Sequence, residues 1–179
     1  MFEFIKKYSN GSFSFGIEDN LKAKCMEIQY ENIDKCCGVY IVYGYPKDKG
    51  DKEIVYIGSS GHFEDNRPIP RKGGLRRRLY GRQKDDLSGE LIFRSILWPR
   101  LMQRDSIHKL EICWYDTGKE HNPLIVEFCL ILTHIICRKR LPVWNNELKL
   151  DGRSKNDFEQ FVKEQNITSL ITAINPVSY

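Results

Sequence analysis

The chain has 179 residues and a mass of 21.0 kDa, room for one compact domain with small terminal elaborations. A hydrophobic share of 41% excludes a disordered chain, and the longest apolar run, residues 124–137, is interrupted by Glu127, Thr133 and His134 and falls short of the ~20 residues of a membrane span. The net charge is only +4, but eight cations and no acid fall between residues 67 and 84 (Arg67, Arg71, Lys72, Arg76, Arg77, Arg78, Arg82 and Lys84), so the remainder is net acidic.

Residues 1–35 read as an N-terminal accessory segment, with a turn at Asn10-Gly11 and a weak helix over 19–28. Residues 38–45 are apolar and β-rich, 46–52 form a polar turn, and 53–58 make a second strand, so an antiparallel hairpin is expected. Residues 59–74 hold Gly61, Pro68, Pro70, Gly73 and Gly74 and read as a long irregular functional loop. Leu75 and Leu79, four apart, predict a short helix over 75–83. A second helix over 87–101 is expected to break at Pro99. Residues 109–115 alternate as a third strand, 124–138 form a long buried helix, and 151–165 a last polar one. The expected fold class is therefore α/β (α+β), a small and mainly antiparallel three-stranded sheet flanked by helices. The expected division is an accessory segment over 1–35, a central module over 36–148 and a helical extension over 149–179.

A run of cations that repel one another calls for an anionic partner, of which phosphate is the commonest; a solvated basic face is the plain alternative. The six cysteines, Cys25, Cys36, Cys37, Cys113, Cys129 and Cys137, make no Cys-x-x-Cys pair. With no secretory apolar core near Met1, a reduced cytoplasmic protein is expected, without disulfides or zinc. Glu127 sits among Leu124, Ile125, Val126, Phe128 and Leu130. A carboxylate there needs a salt bridge, a bound cation or an open edge, because burying it alone costs several kcal/mol. Tyr40 and Tyr56 lie in neighbouring strands and can share a face. A phenol, with a pKa near ~10, serves as a base at neutral pH only beside a cation. Arg78 falls at the core edge of its helix, where a guanidinium can grip phosphate through two N–H groups; Arg76 and Arg77 are expected to point outward, and Arg82 to follow one turn on.

Gly38-Val39-Tyr40, Tyr56-Ile57-Gly58, Leu75-Arg76-Arg77-Arg78, Glu127 on a late apolar helix, and Pro142-Val143-Trp144-Asn145 occur in that order. Together they resemble the GIY-YIG nuclease superfamily over residues 38–146. Each motif is short and common by itself; five in order with the expected elements are specific. The resemblance implies a shallow catalytic surface with one divalent metal, Mg2+ or Mn2+, on Glu127. It implies Tyr56 as general base, Tyr40 as its partner, Arg78 against the charge growing on the phosphate, and Asn145 as an orienting residue. Gly38 and Gly58 would permit close approach of the strands. Two departures stand out. Ser59 occupies the place of a lysine common in the family, with Lys72 or Arg71 as replacements from the loop. Arg82 stands where a histidine or tyrosine is common, and His62 in the loop is a further polar candidate.

The function these residues imply is metal-dependent DNA cleavage of the restriction type. The phosphate contacts would come from Arg67, Arg71, Lys72, Arg76, Arg77 and Arg82, and cutting both strands of a palindrome would call for a homodimer. The alternatives are a structure-specific repair or recombination nuclease of the same fold and a non-catalytic nucleic-acid-binding domain. Retention of all five motif residues argues against the last, since binding alone does not require them.

Overall fold

The computed structural model describes residues 2–48, 50–118, 120–148 and 155–167. Their core is a four-stranded antiparallel sheet of β1 (Ser9–Gly16), β2 (Gly38–Pro46), β3 (Glu53–Ser60) and β8 (Ile107–Asp116), in the spatial order β1-β8-β2-β3. The last strand among the described residues is thus an inner one. Helices α1 (Leu21–Met26), α2 (Gly74–Tyr80) and α3 (Arg94–Arg104) supply one core layer, and α4 (Pro123–Arg138) with α5 (Lys155–Glu164) the other.

Strand alternation sorts side chains between the layers. Tyr40, Val42, Leu110, Ile112 and Trp114 pack with α2 and α3, whereas Val39, Ile41 and Ile57 pack with α4. A bulge opposite Val42 and Tyr43 leaves Val55 unpaired, so that Val55 and Tyr56 both join the α2–α3 layer. Such a bulge re-aims a side chain without breaking the strand.

The sheet has one strand more than the sequence predicts. Ser9–Gly16 pairs along β8, through the Asn10-Gly11 expected to turn. Its small and polar residues carry little strand preference. Gly11 lies opposite Trp114, whose ring fills the space beside it: a Cβ there would come within 2.6 Å of the indole. The strand is completed by its neighbour. Phe2, Ile5 and Tyr8 enter the α4 core layer, so this N-terminal stretch is built into the fold.

Three further expectations change. Residues 59–74 contain a two-stranded hairpin, β4 (His62–Glu64) with β5 (Arg67–Ile69). Asp65 and Asn66 form its tip, both at positive φ (47° and 59°), the turn that matches strand twist. Pro68 is tolerated because this ribbon has free edges. Helix α2 stops at Tyr80, and Arg82–Lys84 becomes β6, paired with β7 (Leu91–Phe93). Arg82 therefore does not continue the helix. Helix α3 starts at Arg94 and runs through Pro99 unbroken. The carbonyl that Pro99 leaves without a donor belongs to the exposed Ser95, while burial of Leu97, Trp98, Leu101 and Met102 holds the helix. Helix α4 begins with Pro123 behind an Asn122 cap that accepts from the Leu124 N–H (3.1 Å). The expected last helix is present as α5; its proposed start at residues 151–154 lies outside the described residues. None of the helices among the described residues is long and apolar enough to cross a membrane.

Candidate active site

The first four residues of the site come from β2, β3, α2 and α4, and meet where both helical layers reach the free edge of β3. Tyr40 and Tyr56 project from the same face with ring centroids 5.9 Å apart. Tyr40 is fully buried and Tyr56 forms part of a cleft wall. Gly58 lies opposite Tyr40 in the ladder, and a Cβ there would stand 2.5 Å from the Tyr40 Oη. Only glycine lets the phenol cross that strand. At Gly38 the obstacle would be backbone, with a Cβ 2.4 Å from the Tyr115 carbonyl oxygen.

Arg78 leaves α2 half-buried. Its Nε donates to the Ser59 carbonyl (3.0 Å) and its Nη1 to that of Arg82 (3.5 Å). Tyr40 is the chief group raising its pKa, against burial, with Tyr56 and Glu127 adding to it. A guanidinium has five donors, so N–H groups remain for a ligand. Ser59 points from β3 toward α4 and its hydroxyl donates to a Glu127 carboxylate oxygen. Burial pushes the Glu127 carboxyl above the usual range, opposed by the Ser59 hydrogen bond and then by Arg78, Arg94 and Arg71.

Asn145 does not enter by pointing at the other four. Its carboxamide spans Ile57 like a peptide of an adjacent strand, accepting from the Ile57 N–H and donating to the Ile57 carbonyl, both at 2.9 Å. The Trp144 N–H bonds the Val55 carbonyl (2.8 Å). Residues 144 and 145 thus finish the open edge of β3 and clamp it between Tyr56 and Gly58. Trp144 is pinned in turn by its indole N–H to Asp105 (2.7 Å).

The resulting cleft, about 350 Å³, is lined among others by Tyr56, Arg78, Arg82, Lys84, Glu127 and Asn145. The exposed Arg82 reaches it from β6, its guanidinium over the Phe93 ring at 4.7 Å. Arg67, Arg71, Lys72 and Arg77 are exposed outside it. Arg76 departs from the outward orientation expected of it. It turns back onto α1, pairing with Asp34 (2.9 Å) and donating to the carbonyls of Cys25 (2.7 Å), Met26 (3.2 Å) and Ile28 (3.3 Å). Helix-terminal carbonyls lack intrahelical partners and attract a cation, so Arg76 serves as a cap for α1.

Sequence reasoning passed over Arg94 and Gln83. Arg94 is fully buried and its Nη2 donates to Tyr40 Oη (2.8 Å). Its position three and four residues before Leu97 and Trp98 places it on the inward face of α3, a signal present in the sequence.

A metal ion could use the Glu127 carboxylate, whose raised pKa reflects a need for a positive neighbour. Among the described residues no group of three or more His, Cys, Asp or Glu is placed to hold one. A metal held there would have one protein carboxylate or two as ligands, since Glu147 also lines the cleft. That fits magnesium or manganese, which keep water and share substrate phosphate oxygens, and does not fit an all-protein cage. The chain matches no known family, no curated protein and no solved structure.

Proposed function

We propose that the protein is a divalent-metal-dependent endonuclease that hydrolyses DNA phosphodiester bonds, in the manner of a restriction enzyme and of the GIY-YIG type. The observation that carries this reading is the meeting of Tyr56, Arg78 and Glu127 in one cleft, with Tyr40 behind them and Asn145 clamping the strand between. These residues come from positions 40 to 145, and nothing in the packing of an inert core requires a carboxylate, a guanidinium and two phenols to converge.

In this mechanism the free N–H groups of Arg78 bind a non-bridging phosphate oxygen and grow stronger as charge gathers there. Glu127, oriented by Ser59, would hold the magnesium or manganese ion. When bound, that ion polarises the scissile phosphate. Tyr56, on the cleft wall, is the general base: its Oη, having given up its own proton to solvent beside Arg78 and the bound ion, takes the proton from the attacking water. Asn145 holds β3 so that Tyr56 cannot drift from the cleft. Arg82 and Lys84 at the cleft, and Arg67, Arg71, Lys72 and Arg77 around it, track the DNA backbone. Arg76 is spent on α1 and takes no part. One cleft cuts one strand, so double-strand cleavage engages a second copy of the chain, as a homodimer on a two-fold symmetric site. All six cysteines stand as free thiols, which fits a reduced cytoplasmic setting.

The test is incubation of supercoiled plasmid with the protein in magnesium, calcium or EDTA. Discrete linear fragments in magnesium alone support restriction-type cleavage. Nicks confined to branched or flapped substrates favour the structure-specific alternative. A gel shift with no cutting in any metal leaves the non-catalytic binding domain.

A further inference from the structure

Arg94 is a cation sealed in the core. It has no solvent exposure, and none of the ion pairs among the described residues includes it. Its hydrogen-bond acceptors are neutral: Gln83 Oε1 for Nε (3.1 Å), the Arg78 carbonyl for Nη1, and Tyr40 Oη for Nη2. Three rings surround the guanidinium carbon, those of Tyr40, Tyr56 and Trp98, with centroids at 5.5, 5.6 and 5.5 Å. It also opens α3, where the helix dipole disfavours a cation. A buried charge outside any direct ion pair costs several kcal/mol even with Glu127 acting on it at longer range, and an apolar side chain of similar volume would fill the site more favourably. Packing alone therefore does not account for an arginine here.

Its geometry has a chemical consequence. A phenol oxygen offers two lone pairs and one hydrogen. Arg94 donates to Tyr40 Oη at 2.8 Å, and the Arg78 guanidinium on the cleft side interacts electrostatically with the same phenol. With one lone pair engaged by the Arg94 N–H, the Tyr40 hydroxyl is fixed in place beside Tyr56, whose ring centroid lies 5.9 Å from its own. Gln83 fixes the arrangement from below, its Oε1 accepting from Arg94 and from the Trp98 indole N–H, each at 3.1 Å.

Resting on the nuclease reading above, we infer that Arg94 is a positioning residue: by donating to Tyr40 Oη and packing against both phenol rings it fixes Tyr40 beside Tyr56 and so sets the geometry of the tyrosine pair that handles the water proton. Arg94 touches neither DNA nor water in this scheme. It acts through Tyr40, and Tyr40 acts on Tyr56.

The experiment compares wild type with Arg94→Met and Arg94→Lys. Readouts are thermal stability, DNA affinity in calcium, and single-turnover cleavage in magnesium. The expected result is an Arg94→Met variant that folds, binds DNA like the wild type and cuts roughly 10- to 100-fold more slowly, with Arg94→Lys recovering part of the rate. A folded Arg94→Met that cuts at the wild-type rate overturns the inference, as does a loss of rate that only parallels a loss of affinity. Should Arg94→Met fail to fold, Arg94→Lys decides: slower cutting at unchanged affinity supports the role, and an unchanged rate overturns it. A 19F spectrum of protein carrying 3-fluorotyrosine at position 40 separates this inference from the nuclease reading. A resonance displaced by Arg94→Met and partly restored by Arg94→Lys supports the Arg94–Tyr40 pairing even if the wild type cuts no DNA. An undisplaced resonance overturns the pairing whatever the plasmid assay shows.

Discussion

The face of the central sheet that carries Val39, Ile41 and Ile57 is packed by hydrocarbon from α4, while the opposite face, carrying Tyr40 and Tyr56, is packed around the guanidinium of Arg94. Both faces are equally closed to solvent at their centres: Ile41 and Tyr40 are both fully buried. They differ in what burial achieves. The aliphatic face gains free energy by removing apolar surface from water. The aromatic face spends part of that gain on a hydrogen-bonded network of Arg94, Gln83, Trp98, Tyr40 and the Arg78 carbonyl. Such a network rigidifies a site when every member is satisfied and becomes costly when one partner is removed. The cleft opens where the two faces meet, so its residues draw stability from one side and chemistry from the other.

That contrast is broken most sharply at Glu127, the one acidic side chain of α4. Glu127→Gln is expected to lower cleavage by roughly a thousandfold while leaving DNA binding in calcium intact. The variant also carries a signature in stability. Burial holds the carboxyl above its ordinary value of 4.5, so over the interval just above that value the folded protein keeps a proton that the unfolded chain has released. Wild-type stability in metal-free buffer then falls as pH rises through this interval. In Glu127→Gln that fall should be reduced, measured by chemical denaturation between pH 4 and 8. A variant that unfolds at every pH, with its folded fraction cutting normally, makes Glu127 a structural residue.

Two arginines of one helix provide the next test. Arg78→Ala should reduce single-turnover cleavage by about a hundredfold, near ~2.7 kcal/mol of transition-state stabilisation, with little change in affinity. Arg76→Ala should instead lower stability by about 1–2 kcal/mol, through loss of the cap on α1, with cutting per folded molecule retained. Equal catalytic losses at the two positions would refute the distinction drawn between them.

The two faces themselves are compared by Ile41→Ala and Tyr40→Phe. The first should cost ~2–5 kcal/mol of stability by opening a cavity, and the surviving folded protein should cut at an unchanged rate. The second removes a single oxygen and leaves an Arg94 donor without its partner, for ~1–3 kcal/mol, and should slow cutting in the folded protein as well. The smallest effect belongs to the exposed Arg77. Arg77→Ala should leave the chemical step alone and reduce the salt dependence of DNA binding by about one unit of log–log slope, measured by titration at several salt concentrations.

Much of this architecture is legible from local pattern. The strands β2, β3 and β8 and the helices α2 and α4 each announce themselves through their own apolar periodicity or glycine and proline punctuation. Tyr40, Tyr56, Arg78, Glu127 and Asn145 were each marked in the sequence, and the structure places the first four together and the last at the strand that joins them. The positions that had to be revised depend on surfaces far along the chain. Ser9–Gly16 is a strand because Trp114 covers Gly11 and β8 supplies its hydrogen bonds, and nothing within those eight residues says so. Helical position sets Arg78 apart from Arg76 in the sequence but misdirects the latter: Arg76 turns inward because the carbonyl end of α1 lies beside it, and Arg78 reaches the cleft because Ser59 lies beside it. The inward position of Arg94 is legible from Leu97 and Trp98, but that it meets Tyr40 is decided only when α3 docks against β2. Sequence by itself determined which segments bury an apolar face, since that follows from the periodicity of neighbouring residues. Tertiary structure decided what each charged and small residue is for, since a guanidinium or a glycine takes its meaning from the atoms it meets, and those atoms arrive from elsewhere in the chain.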